Sequence, residues 1–88
     1  MPERKVIVGS KVGLHARPAA MFVQAASKVG MPVFIAKPGQ PPADSRSILS
    51  VLALDARGGD EVVLTAEGDG ADAALDELVA FLEKDHDA

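Results

Sequence analysis

Two one-sided helical stripes, one near each end of the chain, limit the fold more than any other feature of the sequence. Ala71, Ala74, Leu75, Leu78 and Leu82 recur at spacings of three and four, with Val79 beside them and Asp72, Asp76, Glu77 and Glu83 off the stripe. That spacing predicts a helix from Ala71 toward Lys84 with a single apolar face. Ala19, Phe22, Val23 and Ala26 predict a second, from Ala16 to about Val29, which Gly30 and Pro32 end. Pro18 fits the first turn, where an amide has no intrahelical acceptor. A helix that is apolar on one side must lay that side against another layer. Short β-branched segments supply it. Lys5–Val8 points Val6 and Val8 one way, and Val33–Ala36 opposes Val33 and Ile35 to Phe34. Glu61–Ala66 turns Val62 and Leu64 inward.

The middle of the chain is less regular. Pro38-Gly39 marks a turn, and a strand is expected after it within Gln40–Ser45. Pro41 and Pro42 lack amide hydrogens, so a strand here is short and lies at a sheet edge. Ser47 reads as the N-cap of a two-turn helix over Ile48–Leu54, and Arg57-Gly58-Gly59-Asp60 breaks the chain after it. The order is strand, helix, strand, weak strand, short helix, strand, helix. It predicts one domain over residues 1–88 of the α+β class, with helices over one face of a mainly antiparallel sheet. A ferredoxin-like fold shares the first six elements, and periodicity does not separate the two sheet orders. Asp85–Ala88 is expected to fray.

Composition removes several classes of function. The chain has 88 residues, no cysteine and a formal charge of −4. Disulfides and thiolate metal sites are excluded, and a reducing compartment fits. The net charge and the supply of only three aromatic residues, all Phe, argue against nucleic acid as the main partner. No apolar run reaches membrane-spanning length, and Met1–Lys5 lacks the hydrophobic segment of a signal peptide. A cytoplasmic protein without membrane insertion is expected.

The chemistry concentrates in Gly13-Leu14-His15-Ala16-Arg17-Pro18-Ala19-Ala20. His15 stands where a glycine-bounded loop gives way to a helix. A helix start offers unpaired amides and the positive end of the macrodipole, which together suit an anion. The same field favours a neutral imidazole, the form that can attack phosphorus. The N–H groups of Ala16 and Arg17 and the Arg17 guanidinium are placed to meet a phosphoryl group, while Pro18 offers no donor. Gly13 lets the loop approach closely. A carrier must release its cargo, so an exposed, lightly held site is expected rather than a closed pocket. A surface histidine that merely begins a helix is the plain alternative for His15 alone. The sequence presents no acid–base pair near His15, which makes the chain look like the substrate of other enzymes and not itself an enzyme. His86 lies in a polar tail and has no assigned role. His15 and His86 do not have the spacing of a metal site, and no metal or cofactor is expected.

The segment Gly13–Ala19 resembles the phosphorylation-site signature of HPr, the histidine-containing phosphocarrier of the bacterial sugar phosphotransferase system. Ser47-Ile48-Leu49 and the apolar run to Leu54 resemble the regulatory-serine segment of that family. Ala56–Val62 resembles the turn and strand that follow it. The resemblance spans essentially the whole chain. It implies an open-faced β-sandwich, four strands under three helices in the order βαββαβα. It implies that His15 receives a phosphoryl group on Nδ1 from enzyme I and gives it to the A component of an enzyme II. It implies a docking face of Ala16, Arg17, Ala20, Ile48, Leu49 and Leu52. Helical spacing agrees in part, assigning Val51 and Leu54 to the core and turning Leu49 and Leu52 outward. Ser47 matches the serine that an HPr kinase/phosphorylase modifies in some bacteria, and a plain N-cap explains it equally well. A carrier of the nitrogen-related branch would keep the same histidine signature. Gln40-Pro41-Pro42-Ala43 departs from the family pattern at the sheet edge.

Overall fold

The structure is a computed structural model that describes residues 2–84. The expectations for Asp85–Ala88, including His86, lie outside the described residues. Seven elements follow in order: β1 (Glu3–Ile7), α1 (Ala16–Lys28), β2 (Val33–Ala36), β3 (Ala43–Asp44), α2 (Ile48–Ala53), β4 (Glu61–Ala66) and α3 (Ala71–Glu83). The strands form one sheet in the order β1-β4-β2-β3, antiparallel at every junction. The first strand is at an edge and the last is interior, whereas a ferredoxin-like sheet has the reverse. Strand order therefore decides what periodicity left open, in favour of the open-faced sandwich.

Register follows the pleat. Val6 faces Val62, Ile35 faces Leu64 and Val33 faces Ala66, and all six are buried on the helix side. Glu61, Lys5 and Phe34 lie on the open side and are exposed. The helices close the other face with Ala19, Phe22 and Ala26 from α1, Val51 from α2, and Leu75, Leu78 and Leu82 from α3. Each large side chain buried in this way contributes roughly 1.5–3 kcal/mol. Phe22 meets Phe81 at a ring-centroid distance of 6.1 Å and an angle of 44°, tying α1 to α3. Arg4, on the helix side of β1, reaches Asp72 and Asp76, one helical turn apart on α3, at 3.0 Å each.

Three boundaries and orientations differ from expectation. β1 begins two residues before Lys5 and stops at Ile7. The pairing of Glu3 with Thr65 continues the ladder through polar residues that carry no alternation signal. Val8 is buried and bonds instead to the turn before β4, donating to the Asp60 carbonyl at 2.9 Å and accepting from Gly59 at 2.9 Å. Leu52, expected to face outward, is partly buried against the core because α1 packs beside α2. The proline-limited edge strand is confirmed at its shortest, with only Ala43 and Asp44 pairing to Ile35 and Phe34.

Candidate phosphoryl-transfer site

Two loops lie on one another at one end of the sandwich, and glycines allow it. Gly13, with φ +75°, has no room for a Cβ, which would fall 2.2 Å from the Ala56 carbonyl oxygen. Gly58 presses on the opposite loop, where a Cβ would come within 2.5 Å of the Ser10 carbonyl oxygen. The Leu14 amide donates to the Ala56 carbonyl at 2.8 Å, and the Leu14 side chain is buried. Gly13 thus serves the approach of two backbone segments of the protein itself. The loop before α1 is thereby fixed against the loop after α2.

This stacking carries His15 to the start of α1. His15 is the N-cap residue, with extended backbone (φ −129°, ψ 160°), and its side chain makes no capping hydrogen bond. Its carbonyl accepts from Ala19 at 3.4 Å. By position, the amides of Ala16 and Arg17 are the orphan donors of the first turn. The imidazole is 38% exposed, which matches the open site expected for a carrier. Ala16 and Arg17 are exposed, Pro18 is buried, and Ala20 is exposed one turn along.

The group that meets the ring is a carboxylate. His15 Nε2 lies 3.0 Å from Asp55 Oδ1, and Arg57 donates to Asp55 Oδ2 at 3.3 Å. The hydrogen bond and charge of Arg57 hold the Asp55 carboxyl below the usual carboxylate range, with His15 adding to the effect. The sequence presents no acid–base pair near His15, and the Asp55 contact corrects that expectation. The pairing depends on the contact of two loops 40 positions apart (55 minus 15), which no periodicity reports. One local signal existed: aspartate adopts the left-handed conformation more readily than most residues, and Asp55 sits at a helix end. Among the described residues, the only non-glycine residues with positive φ are Ala16 (50°) and Asp55 (52°). They flank the imidazole from its two loops. A left-handed alanine costs about 1 kcal/mol, held here by the buried Leu14 and Pro18 on either side.

The remaining candidates sit nearby on α2. Ser47 caps it, its hydroxyl accepting from the Ser50 amide at 3.3 Å. Leu49 is 78% exposed and Ile48 39%. Among the described residues, no three His, Cys, Asp or Glu side chains are grouped to hold a metal, and no helix is long and apolar enough to cross a membrane.

A small sandwich with a half-exposed histidine at a helix start defines a class of carrier domain, and comparison with known proteins gives it a family. Residues 2–84 match the family described as the phosphorylation site of the HPr component of the phosphotransferase system. The phosphocarrier protein HPr of Streptomyces coelicolor is 53% identical over 82 residues, covering 93% of this chain and 88% of that one. The phosphocarrier protein NPr of Shewanella violacea is 35% identical over 85 residues, covering 97% and 92%. The crystal structure of a phosphocarrier protein HPr from Bacillus anthracis superposes with a TM-score of 0.86 at 37% identity, covering 92% and 95%. The chain belongs to the HPr family of phosphocarriers of the phosphotransferase system.

Proposed function

We propose that His15 is the phosphoryl acceptor and that Nδ1 is the nitrogen used. The observation that carries this reading is the state of the imidazole at the α1 N-terminus: half-exposed, not spent on capping and, among the described residues, engaged through Nε2. The proton of a neutral ring then sits on Nε2 and the lone pair on Nδ1. The amides of Ala16 and Arg17 and the Arg17 guanidinium receive the dianion. In-line transfer between two histidines passes through a planar phosphoryl group, and donors that fit this geometry raise the rate more than donors that hold the product. The domain acts as acceptor and donor, not as an enzyme in its own right.

The donor is the phosphohistidine of enzyme I and the acceptor is the A component of a sugar-specific enzyme II, in the cytoplasm. The greater identity to a relative named HPr than to one named NPr supports the sugar branch over the nitrogen branch. Ala16, Arg17, Ala20, Ile48 and Leu49 form the docking face, with the half-covered Leu52 beneath it. Ser47 borders this face. A phosphate there, placed by an HPr kinase/phosphorylase, would suit the helix dipole and repel acidic partners.

The test is incubation with phosphoenolpyruvate and each type of enzyme I. An acid-labile, base-stable phosphate that maps to His15 and forms faster with the sugar-branch enzyme is expected. Phosphate on another residue would overturn the site, and faster labelling by the nitrogen-branch enzyme would overturn the branch.

A further inference from the structure

Asp55 is spatially joined to His15 but belongs to a different loop, and nothing in the fold requires a carboxylate there. A residue with φ 52° at a helix end is most easily glycine or asparagine. Asp55 instead turns one oxygen to His15 Nε2 at 3.0 Å and the other to Arg57 at 3.3 Å. Arg57 is itself anchored, since its amide donates to Asp60 Oδ2 at 2.9 Å and its carbonyl accepts from the Asp60 amide at 2.9 Å. The result is a chain of three side chains, imidazole–carboxylate–guanidinium, supported by a turn.

We propose that Asp55 is a positioning residue for phosphoryl transfer: it keeps the proton on His15 Nε2 through the whole cycle, so that Nδ1 is both the attacking and the leaving nitrogen. This rests on the reading of His15 as acceptor.

The step balances as follows. The Nδ1 lone pair forms the new P–N bond while the P–N bond to the donor's phosphohistidine breaks, its electron pair returning to the donor ring. No proton moves on His15, so the phosphorylated ring carries a positive charge delocalised to Nε2–H. Asp55 faces that charge. On transfer out, the P–Nδ1 pair returns to the ring, which leaves as neutral imidazole. Without the Nε2 proton it would have to leave as imidazolate, a far poorer leaving group. A carboxylate beside an imidazole acts in this way elsewhere, fixing the tautomer and meeting the cation that forms. Arg57 makes the arrangement suited to a dianionic cargo, because it offsets the charge of Asp55 without touching the ring. Among the described residues, the charged groups on α1 and on the two loops that bracket His15 are Arg17 and Lys28 on α1, Lys11 before it, and Asp55, Arg57 and Asp60 after α2. Among the described residues, Asp55 is the one charged group paired with the imidazole.

The test pairs nitrogen NMR of the His15 ring with single-turnover phosphoryl transfer, in the unaltered protein, Asp55→Asn and Asp55→Gly. Both replacements suit the left-handed backbone, so the fold is retained. The neutral ring of the unaltered protein is expected as the Nε2–H tautomer. Asp55→Gly is expected to give a mixture of tautomers. In Asp55→Asn the transfer out of phosphohistidine should fall off at lower pH than in the unaltered protein, with a loss of up to about tenfold above that point for each unit of displacement. A purely structural role would lower thermal stability without changing the tautomer or the pH profile. Unchanged tautomer and pH profile in both variants would overturn the proposal while leaving His15 as the acceptor. If the unaltered protein takes no phosphate on His15, the functional reading itself fails.

Discussion

The two helices nearest the candidate site begin in opposite ways. α2 is closed by Ser47, whose hydroxyl accepts from the third amide of the helix. α1 begins with His15, whose side chain accepts nothing from the helix and turns to Asp55. One start is capped by its own side chain, and the other leaves its first amides without a side-chain cap. An open start gives up the roughly 1 kcal/mol that a good cap contributes, and Ala16 adds the cost of left-handed backbone. An uncapped α1 beside a capped α2 is what the proposed reading of His15 as a phosphoryl acceptor calls for.

That contrast can be broken most directly at its two N-caps. His15→Ala is expected to abolish phosphate uptake from phosphoenolpyruvate and enzyme I. It should leave the melting temperature nearly unchanged, because no cap bond is lost. A calorimetric scan that shows a drop of many degrees would make His15 structural. Gly13→Ala comes next. Its Cβ would collide with the Ala56 backbone, so a loss of about 3 kcal/mol is expected by denaturant titration, together with weakening of the His15–Asp55 contact. Ser47→Ala should cost about 1 kcal/mol, a fall of about 4–8 °C in Tm, and should leave transfer chemistry at His15 intact. Reversal of the two N-cap results, with Ser47→Ala neutral and His15→Ala destabilising, would invert the comparison.

The smallest expected effect is in acid. Arg57 lowers the folded value of the Asp55 carboxyl, and Arg46 does the same for Asp44 through side-chain and backbone hydrogen bonds. A lowered folded value means that the unfolded chain takes up the proton first. The stabilisation is therefore fully present above the ordinary carboxylate range, near pH 4, and is lost as pH falls through the lowered values. A carbon NMR titration of the aspartate carboxyls should find both midpoints below that of an unfolded peptide. A midpoint at or above it for Asp55 would mean that Arg57 does not hold the carboxylate.

What the sequence disclosed and what it concealed divide along the same line of local against distant. The stripes of α1 and α3, the N-cap of α2 and the short edge at Pro41-Pro42 are written within a few residues of where they act. His15, Arg17 and their place at a helix start are local too. The partly buried Leu52 and the His15–Asp55 contact depend on what packs across from them. The extension of β1 to Glu3 was equally hidden, since Glu3, Arg4 and Lys5 pair through their backbone while their side chains face solvent or α3. Asp55 meets its partner only when Gly13 and Gly58 let the two loops touch.

The proline pair before β3 reaches beyond the fold. Pro41 and Pro42 leave only two residues of β3 to pair with β2, and the charged Asp44 and Arg46 bond to each other there at 3.2 Å. A shuttle succeeds by brief encounters, and a long bare margin of backbone would invite other chains to zipper on and stay. Here that margin is clipped short and guarded by charge, so this side of the sheet offers other chains little to hold.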